Sequence, residues 1–297
     1  MAATLTSVVS EDRLLADRIR PGPMVRRTVH EIQPGSVQAR RDTVVTEEPL
    51  EIRLGWPLHA PTRVAVIMRT PGNDFELAAG FLLAEGVLDR RTSPRGIAYC
   101  VDRNLSQEQL YNVVTVTLAD PPLRHPSSRS TSVSSACGVC GTQSLDEVFT
   151  GENGRLPVRE RVDARVFNEL PDALRREQSI FARTGAVHAA GIFTFDGTLV
   201  VAREDIGRHN AVDKVFGARQ LGKAAFADDS ILCASGRIGF DIAAKAAAAR
   251  IAVIVAVGGP SSLALDLADR AGITVAGFVR SGRCVVYTCT ERISGLT

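Results

Sequence analysis

An α/β fold in two unequal parts is predicted for this 297-residue chain, and three patterns predict it. In the C-terminal half, short apolar runs at 231–234, 251–257 and 273–279 are parted by helical patterns near 238–250 and 262–271. That β-α-β-α-β order implies parallel strands joined by right-handed crossovers. Just upstream, runs at 191–195 and 198–203 flank Asp196-Gly197, the dipeptide that supplies the φ > 0 conformations of a two-residue hairpin turn. In the N-terminal half, strand-like runs at 51–54, 64–69 and 111–118 accompany a helical pattern over 74–85, with Pro71, Gly72 and Asn73 as its start signal.

Taken in order, residues 1–45 are polar, Arg-rich and without sustained periodicity, which reads as a tail or an adaptable arm. Residues 46–120 form the smaller α+β domain. Residues 121–141 begin PPLRHPSSRSTSVSS, a stretch with too little apolar surface to offset the entropy of ordering it, so a mobile loop is expected; a plain linker is the alternative. This segment runs into Cys137 and Cys140. The remainder, 142–297, opens with a helical connection over 171–181 and holds the larger α/β domain.

Hydrophobic residues at 45% and charged residues at 23% are ordinary for a soluble globular protein, while aromatics at 5% leave the core to Ala, Val, Ile and Leu. A net charge of +2 argues against a nucleic-acid partner, which would show itself as a clustered basic face. No run approaches the roughly 18 apolar residues of a membrane helix, and the first twenty or so positions lack the apolar stretch of a secretory signal. A cytoplasmic protein with no membrane partner is expected. Thiols stay reduced there, so the six cysteines are not read as a disulfide framework, and a CxxC pair is read as metal-binding or catalytic.

In open α/β sheets, ligands bind beyond the carboxyl ends of the strands. The segments expected there are Arg203-Glu204-Asp205-Ile206-Gly207-Arg208-His209-Asn210, Ser235-Gly236-Arg237, Gly258-Gly259-Pro260-Ser261-Ser262 and Arg280-Ser281-Gly282-Arg283. Each joins glycine to a polar or cationic donor. Glycine allows close approach, helix N-termini offer free N–H groups, and arginine grips phosphate in bidentate fashion, so a phosphate-bearing ligand is predicted. Ordinary turn and cap residues are the bland alternative. The dinucleotide fingerprint G-x-G-x-x-G is absent, which argues against a nicotinamide or flavin site. His188 and His209 are placed beside this cleft, either as hydrogen-bonding groups or as proton donors. Asp205 and Asp213 are placed as helix caps, or Asp205 as an acceptor for a guanine edge.

The pair Cys137-Gly138-Val139-Cys140 is the other chemical motif, and its thiolates have little crowding from the flanking glycines. Structural zinc ordinarily takes four ligands, and no second pair with diagnostic spacing accompanies this one. A zinc deaminase needs H-x-E and P-C-x-x-C, whereas here Ala136 precedes Cys137 and His188 is followed by Ala189 and Ala190. A dithiol oxidoreductase would carry its pair at a helix start within a βαβ pattern. This pair instead follows a polar loop, and a mobile thiolate that takes sulfane sulfur from one protein and gives it up elsewhere fits better, because exchange needs in-line access to both partners.

The chain resembles the formate dehydrogenase accessory sulfurtransferase family, FdhD, over about residues 46–293. The resemblance rests on Glu48-Pro49-Leu50-Glu51-Ile52-Arg53, Met68-Arg69-Thr70-Pro71-Gly72, Cys137-Gly138-Val139-Cys140-Gly141, Thr184-Gly185-Ala186-Val187-His188, Glu204 through Ala211 with Asp213-Lys214, Ser235-Gly236-Arg237 and Gly277-Phe278-Val279-Arg280. It implies a C-terminal domain folded like cytidine deaminase in three layers, and a homodimer. It also implies a sulfurtransferase that takes persulfide sulfur from a cysteine desulfurase. That sulfur would pass to a molybdenum bis(molybdopterin guanine dinucleotide) cofactor before insertion into the formate dehydrogenase apoenzyme. Cys137 matches the persulfide carrier and Cys140 its partner; Phe278, Val279, Arg280, Ser281, Gly282 and Arg283 match the cofactor-binding motif, with Ser235, Gly236, Arg237 and His188 expected to join them. No metal of the protein's own is expected. Two departures stand out: Val257-Gly258-Gly259-Pro260-Ser261 replaces the family's Val-Ser-x-Pro-Thr, and Cys289-Thr290 replaces His-Pro after Tyr287-Thr288. Cys289 is read as a surface residue or a substitute ligand. The competing reading is a chaperone that binds the cofactor without covalent sulfur transfer.

Overall fold

The structure, a computed structural model, describes residues 20–90, 93–100, 110–122, 124, 154–225, 227–280 and 282–295. It begins with an antiparallel ribbon of β1 (Met24–Gln33) and β2 (Ser36–Val45), turned at Gly35 with φ 82°. The expected 1–45 tail is therefore shorter, because 24–45 is a hairpin. Cross-strand partners such as Ile32 with Val37 and the Arg40–Glu31 ion pair line it, and no strand face is buried, so the period-2 signal is missing.

The smaller unit follows: β3 (Glu48–Trp56), β4 (His59–Arg69), helix α1 (Asp74–Ala84), β5 (Gly96–Tyr99) and β6 (Val113–Thr117), in sheet order β4-β3-β6-β5. Strand β3 alternates as predicted. Leu50, Ile52 and Leu54 are fully buried against Leu77, Phe81 and Leu82 of α1 and Val114 and Val116 of β6. Each such side chain contributes roughly 1.5–3 kcal/mol on burial.

The larger unit contains β7 (Val162–Asp163), α2 (Ala164–Arg176), α3 (Ser179–Thr184), β8 (His188–Phe193), β9 (Leu199–Asp205), α4 (Arg208–Gln220), β10 (Ile231–Ala234), α5 (Phe240–Ala249), β11 (Val253–Ala256), α6 (Ser262–Ala271), β12 (Thr274–Arg280), β13 (Arg283–Thr288) and β14 (Ile293–Ser294). Six of these strands form one sheet in the order β13-β12-β11-β10-β8-β9, with β10, β11 and β12 parallel as the sequence predicts. The alternation of side chains along the strands builds two cores. Ile231, Cys233, Val253 and Val255 meet Phe167, Leu170 and Leu174 of α2 on one face, while Leu232, Ile254 and Ala256 share the other face with residues of α4, α5 and α6. The expected 171–181 helix begins seven residues earlier and breaks before Ser179. Pro171 lies inside α2 rather than at its start, because burial of Phe167, Leu170 and Leu174 outweighs the hydrogen bond that proline forfeits.

The two units meet where α1 crosses α4 antiparallel, backbone against backbone. A Cβ on Gly80 would stand 1.9 Å from the Asp213 carbonyl oxygen, and one on Gly217 would stand 1.8 Å from that of Glu76. Only glycine permits this approach. Beside the crossing, the Glu76 carboxylate accepts from Arg203 Nε and Nη2 at 2.6 and 3.0 Å.

Candidate functional site

Strand β8 runs antiparallel to both of its neighbours, β10 and β9, so β9, β10, β11 and β12 all point one way. Their carboxyl ends share one edge, and the reversed β8 adds its first residue, His188, to that edge. The four glycine-bearing segments that the sequence places at strand ends are thereby gathered together.

Backbone bonds lace the β10 and β11 loops into a fixed floor. Gly258 N donates to Gly236 O at 3.2 Å, Ile238 N to Gly259 O at 3.1 Å, and Phe278 N of the neighbouring strand to Gly258 O at 3.2 Å. Side chains are excluded from this floor. A Cβ on Gly258 would lie 2.9 Å from Arg237 Cα and Gly236 O, and one on Gly259 would lie 2.4 Å from the Phe278 ring. Phe278 itself sits at an irregularity in the β12–β13 pairing, with φ 54° and 45% exposure, so its ring is displayed above Gly259.

The cationic groups come from α4 and the loops. Arg208, the first residue of α4, extends across the glycine floor, its Cδ 3.6 Å from the position a Cβ on Gly236 would take. Its Nε is buried without a hydrogen-bond partner among the described residues. Arg237, Arg280 and Arg283 are exposed, the last two facing each other beside Gly282, whose φ is 74°. His188 is half-buried, Nδ1 3.5 Å from Ser235 Oγ, which itself accepts from Ala189 N at 2.9 Å. Burial first, then the charges of Arg208 and Arg237, lower its pKa. Behind it, His209 is 11% exposed, its Nε2 3.6 Å from Asp241 Oδ2. Burial, followed by Lys245 and Arg208, pulls its pKa down to about 3. Both imidazoles are therefore neutral near pH 7 and present lone pairs or single N–H groups, not charge.

The turn that carries Arg208 is held by Asp205. Its Oδ1 accepts from Gly207 N at 2.8 Å and Asn210 Nδ2 at 2.9 Å, and its Oδ2 from Thr70 N at 3.1 Å and, as a buried ion pair, Lys214 Nζ at 2.7 Å. Asp205 thus binds the turn before α4, rather than reaching out as an acceptor for a guanine edge, and Gly207 occupies the N-cap position. Asp213 is no cap either. It lies inside α4 and receives two bonds from Lys245 Nζ at 2.6 and 2.8 Å, while burial raises its pKa to about 6 against the pull of that lysine.

Among the residues singled out from the sequence, Ser235, Gly236, Arg237, His188 and Phe278 converge here. Val279 does not: its side chain is buried in the α2-facing core, because alternation along β12 turns it inward. Cys137, Cys140 and Ser281, and the 121–141 loop except for 121, 122 and 124, lie outside the described residues. Cys289 is buried, not on the surface, with φ 50° and its Sγ 3.5 Å from Arg155 Nη2. Arg208 is not among the residues the sequence singles out for the cofactor. Its signal is there all the same, an arginine directly after glycine at the start of a helical pattern that follows a strand.

A family model described as the FdhD/NarQ family matches residues 45–294. A relative from Streptomyces coelicolor, named sulfur carrier protein FdhD, is 46% identical, the match covering 91% of this chain and 95% of that protein. A relative of the same name from Mycobacterium tuberculosis is 44% identical, covering 90% and 98%. The crystal structure of a formate dehydrogenase accessory protein from Desulfotalea psychrophila is similar with a TM-score of 0.72 and 26% identity, over 91% of this chain and 99% of that one.

Proposed function

This chain belongs to the FdhD/NarQ family, and from that premise we propose that it is a sulfur carrier for a formate dehydrogenase, taking sulfur on Cys137 and delivering it to a nucleotide-bearing molybdenum cofactor held at the glycine-floored edge. The observation that carries the cargo reading is the buried Arg208 Nε, which has no partner within the described residues and lies at a glycine floor where Gly258 and Gly259 leave no room for a Cβ. A pyrophosphate matches such a site. Its oxygens take bidentate bonds from guanidinium groups and further bonds from the N–H groups at the start of α4. Phe278 offers a planar face for a purine, and neutral His188 beside Ser235 offers a single polar contact at the strand end.

In this reading the Cys137 thiolate attacks the outer sulfur of a desulfurase persulfide, forming Cys137 persulfide and releasing the desulfurase thiolate. Delivery follows when the Cys140 thiolate attacks the Cys137 sulfur. A Cys137–Cys140 disulfide forms, sulfide leaves to the cofactor, and a cellular dithiol must then reduce the pair. A cysteine desulfurase, the formate dehydrogenase apoenzyme and a second copy of the chain are the partners of this proposal, and the cytoplasm is its setting. A cytidine-deaminase ancestry for the helix–sheet–helix unit belongs to the same proposal.

Incubation with a desulfurase and labelled cysteine tests it. Label on Cys137 with a mass gain of about 32 Da, one sulfur atom, is the expected result, and Cys137→Ala should abolish both the label and formate dehydrogenase activity. The cofactor-binding chaperone is the second reading, favoured by the glycine floor and cationic rim that the described residues already supply. An active dehydrogenase obtained with both cysteines replaced by alanine would establish it instead.

A further inference from the structure

Among the described residues the glycine floor is built by the larger unit, yet the smaller unit is wired to the turn beside it. Just after β4, Thr70 is fully buried and uses its N–H, its hydroxyl oxygen and its carbonyl across the unit boundary. Its N–H donates to Asp205 Oδ2 at 3.1 Å, its Oγ1 accepts from Ile206 N at 3.0 Å, and its carbonyl accepts from Lys214 Nζ at 3.0 Å. Two residues earlier, Met68 O accepts from Asn210 Nδ2 at 2.8 Å. All four contacts fall on residues 205–214, the strand end, turn and first helical turns that carry Arg208.

From this wiring we propose that Thr70 is a positioning residue for the cleft: the smaller unit, through Thr70, sets the turn from Asp205 to Arg208 so that the guanidinium lies across Gly236 beside His188. The inference rests on the nucleotide reading above for its consequence, but not for its geometry. Asp205 uses both of its oxygens on the turn, on Thr70 and on Lys214, and Lys214 Nζ is shared among Asp205, Thr70 O and Glu204 O. Those bonds hold the strand end, but the acceptor for Ile206 N among the described residues is Thr70 Oγ1. With the hydroxyl gone, that part-buried N–H loses its protein acceptor, and the turn shifts toward another partner.

Three variants of the full-length chain test the assignment. Thr70→Val keeps the shape and removes the hydroxyl, Thr70→Ser restores it, and Glu76→Gln loosens the α1–Arg203 contact without touching the turn. Guanosine diphosphate is the binding probe, and the titration of His188, followed by proton NMR and identified by its loss in His188→Gln, is the second readout. Thr70→Val is expected to weaken nucleotide binding about tenfold and to move His188 titration upward, since Arg208 no longer sits against it. Thr70→Ser should return both to the parent values, and Glu76→Gln should leave both unchanged. Equal losses in Thr70→Val and Glu76→Gln would overturn positioning in favour of general docking. An unmoved His188 titration in a folded Thr70→Val protein would overturn it as well. Should the parent chain fail to bind the nucleotide, the cargo reading falls, and the His188 titration alone decides the positioning claim. If Thr70→Val does not fold, Thr70→Ala and Thr70→Ser are compared by the same two readouts, and identical behaviour of those two overturns the claim.

Discussion

His209 shows how burial, helped by neighbouring charge, sets the chemistry of one side chain. Its imidazole is held neutral by loss of water and by the nearby charges of Lys245 and Arg208, with a pKa near 3 in the folded chain. In the unfolded chain an imidazole takes up a proton below about pH 6.5. Between those values the unfolded state binds more protons, so folded stability is complete above 6.5 and is lost as pH falls. Lowering the pH from 6.5 to 5 should cost the parent about 2 kcal/mol that His209→Gln does not lose, read from urea midpoints at each pH. Asp213 acts in the opposite direction, since its raised pKa, about 6, lets the folded chain keep a proton that the unfolded chain releases. The variant comparison cancels that contribution, and equal pH slopes in the two proteins would contradict the assignment. At this scale the sequence exposes which residue types crowd the strand ends but not their roles. Asp205 and Asp213 look like helix caps by local spacing, and their partners, Thr70 and Lys245, stand 135 and 32 residues away.

Elements are more legible than residues, because periodicity is a local signal. The parallel strands β10 to β12, the hairpin around Asp196-Gly197 and helix α1 are all legible locally, although the hairpin closes through a loop over 194–198 with positive φ at Gly197 and not through a two-residue turn. The ribbon of β1 and β2 is not, since neither strand buries a face, and α2 hides its start because Pro171 looks like a beginning and lies in the interior. Nor does any window of sequence show why Gly80 and Gly217 are glycine. In isolation, Gly217→Ala should stabilise helix α4 by up to about 1 kcal/mol through helix propensity. In this structure the new methyl carbon would overlap the Glu76 carbonyl, and overpacking of that kind costs about 3 kcal/mol or more. Steric overlap wins, so net destabilisation of at least about 2 kcal/mol is expected in chemical unfolding, and a neutral or stabilised variant would mean that the helices do not touch there.

At the scale of the molecule, two units share one seam and the ribbon stands largely outside both. Two-stranded hairpins are marginal on their own, and Ile32 and Val37 at the ribbon tip are 77% and 64% exposed. A chain beginning at residue 46 is therefore expected to melt within about 4 °C of the full chain, equivalent to roughly 1 kcal/mol. A loss several times larger in calorimetry would show that the ribbon is part of the core. The seam is different. Where α1 rests on α4, no side chain stands between the two backbones, so no rotamer can flex to absorb a displacement. A tilt given to one helix passes to the other undamped, as between two beams bolted together without a gasket. Because α4 starts at Arg208, any protein that grips the small sheet hard enough to lean on α1 will be felt at the far end of that lever, in the placement of Arg208 beside Gly236.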